Sequence, residues 1–144
     1  MFEKVLYPID FSELSEKVLP YVLTLKDVGA RTVVLLHVID SGILDTLTHY
    51  SPVELLETRQ RLNDIAAQKM ESPAAAFHDA GFTVKIRIEE GVPFREILRI
   101  EQEEQVSGIV MASHGLSNIK EMLLGSVSEQ VIRKAKSPVI VIKR

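Results

Sequence analysis

The sequence predicts one α/β domain built on a doubly wound parallel sheet, and three observations carry that expectation. Short β-rich runs alternate with longer segments of helical period, the pattern of parallel strands joined by crossover helices. Three of the runs are nearly continuous Val, Ile and Leu, as strands are when helices cover both faces of their sheet. The 144 residues are close to the size of a single domain, and no repeat, low-complexity tract or Gly/Ser linker divides residues 1–144.

Five strands and four helices follow in order. The first strand runs from Lys4 to Ile9. Ser12 opens the first helix, where its hydroxyl can cap free amides and Glu13 and Glu16 sit near the positive helix end. Leu14, Val18, Val22 and Leu25 form its apolar stripe, Pro20 predicts a bend inside it, and Gly29 ends it. The second strand is Thr32 to Val38, and the connection from Asp40 to Tyr50 reads as a solvated surface loop. Ser51-Pro52-Val53-Glu54 joins a first-turn proline to a capping box and opens a long helix, kinked or split at Pro73 and finished before Gly81. The third strand is Thr83 to Ile88. Pro93 opens a helix reaching about Gln105, and Ser107 to Met111 is the fourth strand. Ser126-Val127-Ser128-Glu129 reads as a second capping box opening the last helix, before the fifth strand, Pro138 to Lys143.

Composition narrows the function classes. Hydrophobic residues make up 46% and charged residues 26%, ordinary globular usage that excludes a disordered chain. Seventeen basic against twenty acidic residues give a net charge of −3, the wrong sign for attraction to nucleic acid phosphates. No cysteine is present, which removes disulfides, thiol catalysis and thiolate metal ligation. No run approaches the roughly 18 apolar residues of a membrane span, and no secretory leader is recognisable, so cytoplasm is the expected location. His49 and His78 lack any ligand spacing for a protein-held metal. Glu89-Glu90 and the acids from Glu101 to Glu104 read as solvated charge at a strand end and on a helix face.

The segment with chemical content is Met111-Ala112-Ser113-His114-Gly115, nine residues, then Gly125-Ser126-Val127-Ser128. It leaves a strand end and closes on a helix start. Small residues at such a boundary let amides approach an anion, and the first free N–H groups of the helix add its positive end, a combination that suits phosphate. On spacing alone, a turn at Gly115 and a helix cap at Gly125-Ser126 are the better explanation of the segment. It is not a Walker loop, and no G-x-G-x-x-G follows the first strand. His37 and His114 border the region, and each reads as a hydrogen-bonded structural histidine without a catalytic role.

Taken together, Leu6-Tyr7-Pro8-Ile9-Asp10-Phe11-Ser12, Leu35-Leu36-His37-Val38-Ile39-Asp40, Glu90-Gly91-Val92-Pro93 and the whole stretch from Ile109 onward resemble the universal stress protein superfamily, in particular its ATP-binding branch. The branch's pattern of Gly, two residues, Gly, nine residues, Gly and Ser/Thr falls on Ala112, Gly115, Gly125 and Ser126, with alanine replacing the first glycine. The resemblance implies strand order 3-2-1-4-5, in which the loops after strands one and four flank the point where winding reverses and ligands collect. It implies an adenine nucleotide, ATP or else ADP or AMP, with any Mg²⁺ carried by the phosphates. The implied site comprises Pro8, Ile9, Asp10, Val38, Met111, Ala112, His114, Gly115, Gly125, Ser126, Val127 and Ser128. Asp10 would accept from adenine or ribose, although an acid before a helix equally serves to satisfy free amides. Val38 would touch adenine, and Gly115 with the Gly125 to Ser128 run would face the phosphates.

Three functions compete on this basis. The first is a nucleotide-binding regulatory or stress-response protein with slow or absent hydrolysis, because no Walker lysine, arginine finger or water-orienting residue is evident. The second is a nucleotide-independent dimeric interaction module of the same fold, favoured by Ala112. The third, a phosphoacceptor receiver domain, would need an aspartate ending strand three, where this chain has Ile88-Glu89-Glu90. Under either of the first two, the apolar edge strand Val139 to Lys143 is expected to pair with a second copy, giving a homodimer.

Overall fold

The computed structural model describes residues 2–47, 49–114 and 124–143. Five strands, β1 (Lys4–Pro8), β2 (Thr32–Asp40), β3 (Thr83–Gly91), β4 (Gly108–Ala112) and β5 (Val139–Ile142), form one parallel sheet in the order β3-β2-β1-β4-β5. The fold class and strand order are those expected from the sequence. Alternation along the strands splits the core in two. On one face Tyr7, Val33, Leu35 and Val110 pack with Val18 and Val22 and with Met70, Ala74 and Phe77. On the other, Leu6, Val34, Leu36, Ile109 and Met111 pack with Ile97, Ile100 and Val131.

The helices differ from expectation in informative ways. Between β1 and β2 the chain forms α1 (Glu13–Lys17), α2 (Leu19–Thr24) and a 3-10 turn (Leu25–Val28) in place of one bent helix. Val18 ends α1 and starts α2, with Pro20 in the first turn of α2, because a proline is cheapest where its missing N–H would have no partner. Gly29 closes the segment at φ 105°, a left-handed position that suits glycine. The expected loop after Asp40 begins instead as a short helix, α3 (Ser41–Asp45), capped by Asp40 Oδ1 accepting from the Gly42 amide at 2.9 Å.

Ser51 and Glu54 form the predicted capping box of α4 (Pro52–Asp79). That helix is not split at Pro73. Its apolar stripe, Ala66, Met70, Pro73, Ala74 and Phe77, is buried without a break, and this burial offsets the lost backbone bond. After α5 (Pro93–Glu103) and β4 comes α6 (Ser126–Lys134), where the predicted capping box does not form. Gly125 is the N-cap and has no side-chain cap, because its amide donates to the Ser113 carbonyl at 2.7 Å and starts the helix one residue early.

The acids at 101 and 104 are the clearest correction. They are not solvated: Glu101 and Glu104 are 2% and 6% exposed. They share the buried side of α5 with Ile97 and Ile100, at helical spacing. Glu101 accepts from the amides of Lys136 and Ser137 at 3.0 and 2.9 Å. Glu104 pairs with Lys85 at 2.8 Å, Arg87 at 2.6 Å and Lys4 at 3.2 Å. Lys85 foremost, then Arg87 and Lys4, hold its pKa down to about 2 against the opposing effect of burial.

Candidate functional site

Winding reverses between β1 and β4, whose following helices pack on opposite faces of the sheet. The carboxyl ends of the strands therefore border a cleft there, with a volume of about 720 Å³. Its walls contain Pro8, Ile9 and Asp10 from β1 and its exit, and Val38 from β2. Met111, Ala112 and His114 come from β4 and its exit, and Gly125, Ser126, Val127 and Ser128 from the start of α6. Of the residues predicted for the site, only Gly115 lies outside the described residues.

The β1 exit is held by its own bonds. The Ile9 amide donates to Leu36 O at 2.8 Å, Asp10 Oδ1 accepts from the Ser12 amide at 3.0 Å, and Ser12 Oγ caps α1 through the Ser15 amide at 3.1 Å. Of the two roles weighed for Asp10, the local one is seen, a turn-stabilising carboxylate, and the residue also lines the cleft wall. Between them, Phe11 has a left-handed backbone at φ 64°, uncommon for a bulky residue. Its ring lies 4.6 Å from that of His37, whose Nδ1 is 2.8 Å from the Ile9 carbonyl. Burial lowers the His37 pKa below its ordinary value, against the opposing pull of the Ile9 carbonyl and Asp10.

The β4 side is less complete. Ala112 is buried and is not among the described residues of positive φ, so its methyl group imposes no backbone strain. His114 is 6% exposed. Its Nδ1 is 2.8 Å from Ser113 Oγ, whereas its buried Nε2 has no hydrogen-bond partner among the described residues. The first backbone bond within α6 runs from the Glu129 amide to Gly125 O at 2.9 Å, so the amides of Ser126, Val127 and Ser128 precede the helix's own ladder. The Ser128 hydroxyl is used internally, donating to Ser113 O at 2.7 Å and Gly125 O at 3.0 Å, which leaves its amide as the group available to a ligand.

Sequence reasoning missed the roof of the cleft. Ile43 of α3 and Leu62, Ile65, Ala66 and Lys69 of α4 line it, all from a stretch without a motif. The signal was a weak one: a lysine standing in helical spacing with an apolar stripe.

Comparison with known proteins bears on this geometry. A family profile described as the universal stress protein family matches residues 1–143. Universal stress protein MJ0577 of Methanocaldococcus jannaschii is 42% identical over 156 aligned positions, covering 100% of this chain and 96% of that protein. Its solved structure has a TM-score of 0.90 at 43% identity and covers 100% of this chain and 97% of that one. Universal stress protein YxiE of Bacillus subtilis is 32% identical, covering 99% of this chain and 100% of that protein. At the level of fold, a universal stress protein family member from Arabidopsis thaliana, solved with AMP bound, has a TM-score of 0.69 at 20% identity, covering 98% of this chain and 91% of that one. This chain belongs to the universal stress protein family.

Proposed function

We propose that the cleft binds an adenine nucleotide, ATP in the first place, and that the protein acts as a cytoplasmic regulatory or stress-response homodimer whose conformation or contacts the nucleotide biases. The observation that carries this reading is the start of α6, without a side-chain cap, beside the Nε2 of His114, unpartnered among the described residues, both on one cleft at the winding reversal. Free amides and a positive helix end attract phosphate. The volume lies within the range of small-molecule sites. The AMP-bound relative supports the same class of ligand for this fold. In this arrangement the amides of Ser126, Val127 and Ser128 hold the phosphates, Asp10 accepts from ribose or adenine, and Val38 provides an apolar contact for the base. Any Mg²⁺ rides on the phosphates.

Slow or absent hydrolysis is the reading that the lining of the cleft supports. Among the described residues the cleft has no arginine, and both its carboxylates, Asp10 and Asp40, already accept from amides in their own turns. Support for the dimer comes from β5, which ends the sheet with its apolar residues only half-buried. The Pro138 and Ile142 carbonyls accept from β4 amides, so the backbone groups of Val139 and Val141 face the open edge. Ile140 and Ile142 pack into the chain's own core, which makes Val141→Lys the cleaner disruptor. Light scattering should give a wild-type dimer and a Val141→Lys monomer.

Chromatography of nucleotide released from the purified protein, with calorimetric titration of ATP, tests the main reading. Retained or titratable ATP is the expected result. Neither retained nucleotide nor measurable affinity would leave the nucleotide-independent module as the description of this chain.

A further inference from the structure

The charged side chains around the cleft differ in how far they are already engaged. Asp10 and Asp40 accept from backbone amides, and His37 is fixed on a backbone carbonyl. Lys69 is the one lysine or arginine in the lining among the described residues, and it makes no ion pair there. Elsewhere Lys4, Arg59, Lys85, Arg87, Arg99 and Arg133 form ion pairs, whereas Lys69, like Lys17 and Lys26, forms none among the described residues. Glu16 shares a smaller cavity of about 250 Å³ behind Lys69 and forms no ion pair with it.

What Lys69 has is an aromatic support. Its Nζ lies 5.3 Å from the centroid of Phe11, the residue with the left-handed backbone, whose ring in turn meets His37. Phe11 and Lys69 line both cavities, so the pair forms part of the wall between them. A ring face steadies an ammonium through its quadrupole but does not neutralise it. The charge therefore remains available to the cleft, and it is already felt at His37, where it contributes to the lowered proton affinity.

We propose that Lys69, propped on Phe11, reads the charge of the ligand: it attracts the phosphates of a bound nucleotide, so that affinity rises with phosphate number. The inference rests on the nucleotide reading above. Coulomb attraction needs no direct contact, grows with the charge of the ligand and weakens with salt. A lysine that merely packed against the roof would affect the adenosine moiety common to all the ligands.

Calorimetry with ATP, AMP and adenosine on wild type, Lys69→Met and Lys69→Arg separates these roles, with thermal melts to show that each variant is folded. At low ionic strength Lys69→Met should weaken ATP binding about tenfold and AMP about threefold, leaving adenosine within about twofold. Lys69→Arg should restore ATP to within about threefold, and salt at about 0.5 M should shrink the ATP difference. An equal loss for all three ligands, an unchanged ATP affinity, or an arginine variant as weak as the methionine one would overturn the role of Lys69 while leaving nucleotide binding intact. A wild-type protein that binds none of the three ligands would remove the nucleotide reading, and this inference with it.

Discussion

The two ends of the sheet are built on opposite principles. At the amino ends of the strands, buried polar groups are paired: Ser107 Oγ accepts from the Lys4 amide and donates to the Lys4 carbonyl, Glu101 holds two amides, and Glu104 holds three cations. At the carboxyl ends, among the described residues, α6 begins without a side-chain cap, His114 keeps an unpartnered Nε2, and Lys69 makes no ion pair. Buried polar groups without partners cost stability, so among the described residues the amino ends carry the better satisfied polar groups. The contrast recurs at the winding reversal itself, where α1 is capped by Ser12 and α6 is not.

Substitutions at either end can break that contrast. The largest effect is expected from Gly125→Val. The backbone there, φ −66° and ψ 156°, accommodates any residue, so the fold should persist while the side chain crowds the amides at the α6 start. ATP affinity by calorimetry should fall by more than about 100-fold, a loss above about 2.7 kcal/mol. At the closed end, Glu104→Gln should lower stability by about 2 kcal/mol at pH 7 and leave ATP affinity unchanged. The folded pKa of Glu104 is depressed, so its contribution is complete above the ordinary value of 4.5 and is lost as pH falls toward about 2. Urea unfolding should therefore show the full difference between variant and wild type at pH 7, a reduced one near pH 3 and a much smaller one near pH 2.

Smaller changes sharpen the comparison. Gly125→Ser supplies the missing cap, so the ligand-free protein should gain about 0.5 kcal/mol, while ATP binding weakens about tenfold because the serine oxygen competes for the same amides. A serine variant with better stability and unchanged affinity would separate the α6 start from the phosphate site. Ala112→Gly should tighten ATP binding by less than about tenfold, since the alanine is unstrained and only its methyl group is removed. A wild-type protein without ATP affinity, rescued by glycine at this position alone, would show that one methyl group decides the function.

What could be read from the sequence was whatever depends on local chemistry. Strand identities, the capping box at Ser51, the glycine ending at Gly29 and the helix starts at Pro52 and Pro93 all rest on a few neighbouring residues. What failed depended on distant partners. Nothing near Glu101 and Glu104 announces that the Lys136-Ser137 turn and the side chains of Lys4 and Lys85 will meet them, so ordinary surface usage predicted the wrong environment. The Ser126 box failed because a carbonyl twelve positions earlier, Ser113 O, captured the Gly125 amide. On the cleft, the β1 and β4 exits were legible through their motif residues, whereas Lys69 lies on a 28-residue helix without a motif, and only the side of that helix facing the cleft brings it there.

The position of β1 also governs the order in which the molecule can be completed. It is the central strand, paired on one side with β2 and on the other with β4, and Lys4 and Ser107 meet across 103 positions of chain. The β1-β2-β3 half can assemble from nearer contacts, but the loss of chain entropy in bringing β4 to β1 must be met over the whole intervening length. The cleft draws on the exits of both strands as well as on β2, α3 and α4, so its full wall needs this most distant pairing. A ligand held there would sense more than one part of the sheet, and by mass action it would favour that distant closure.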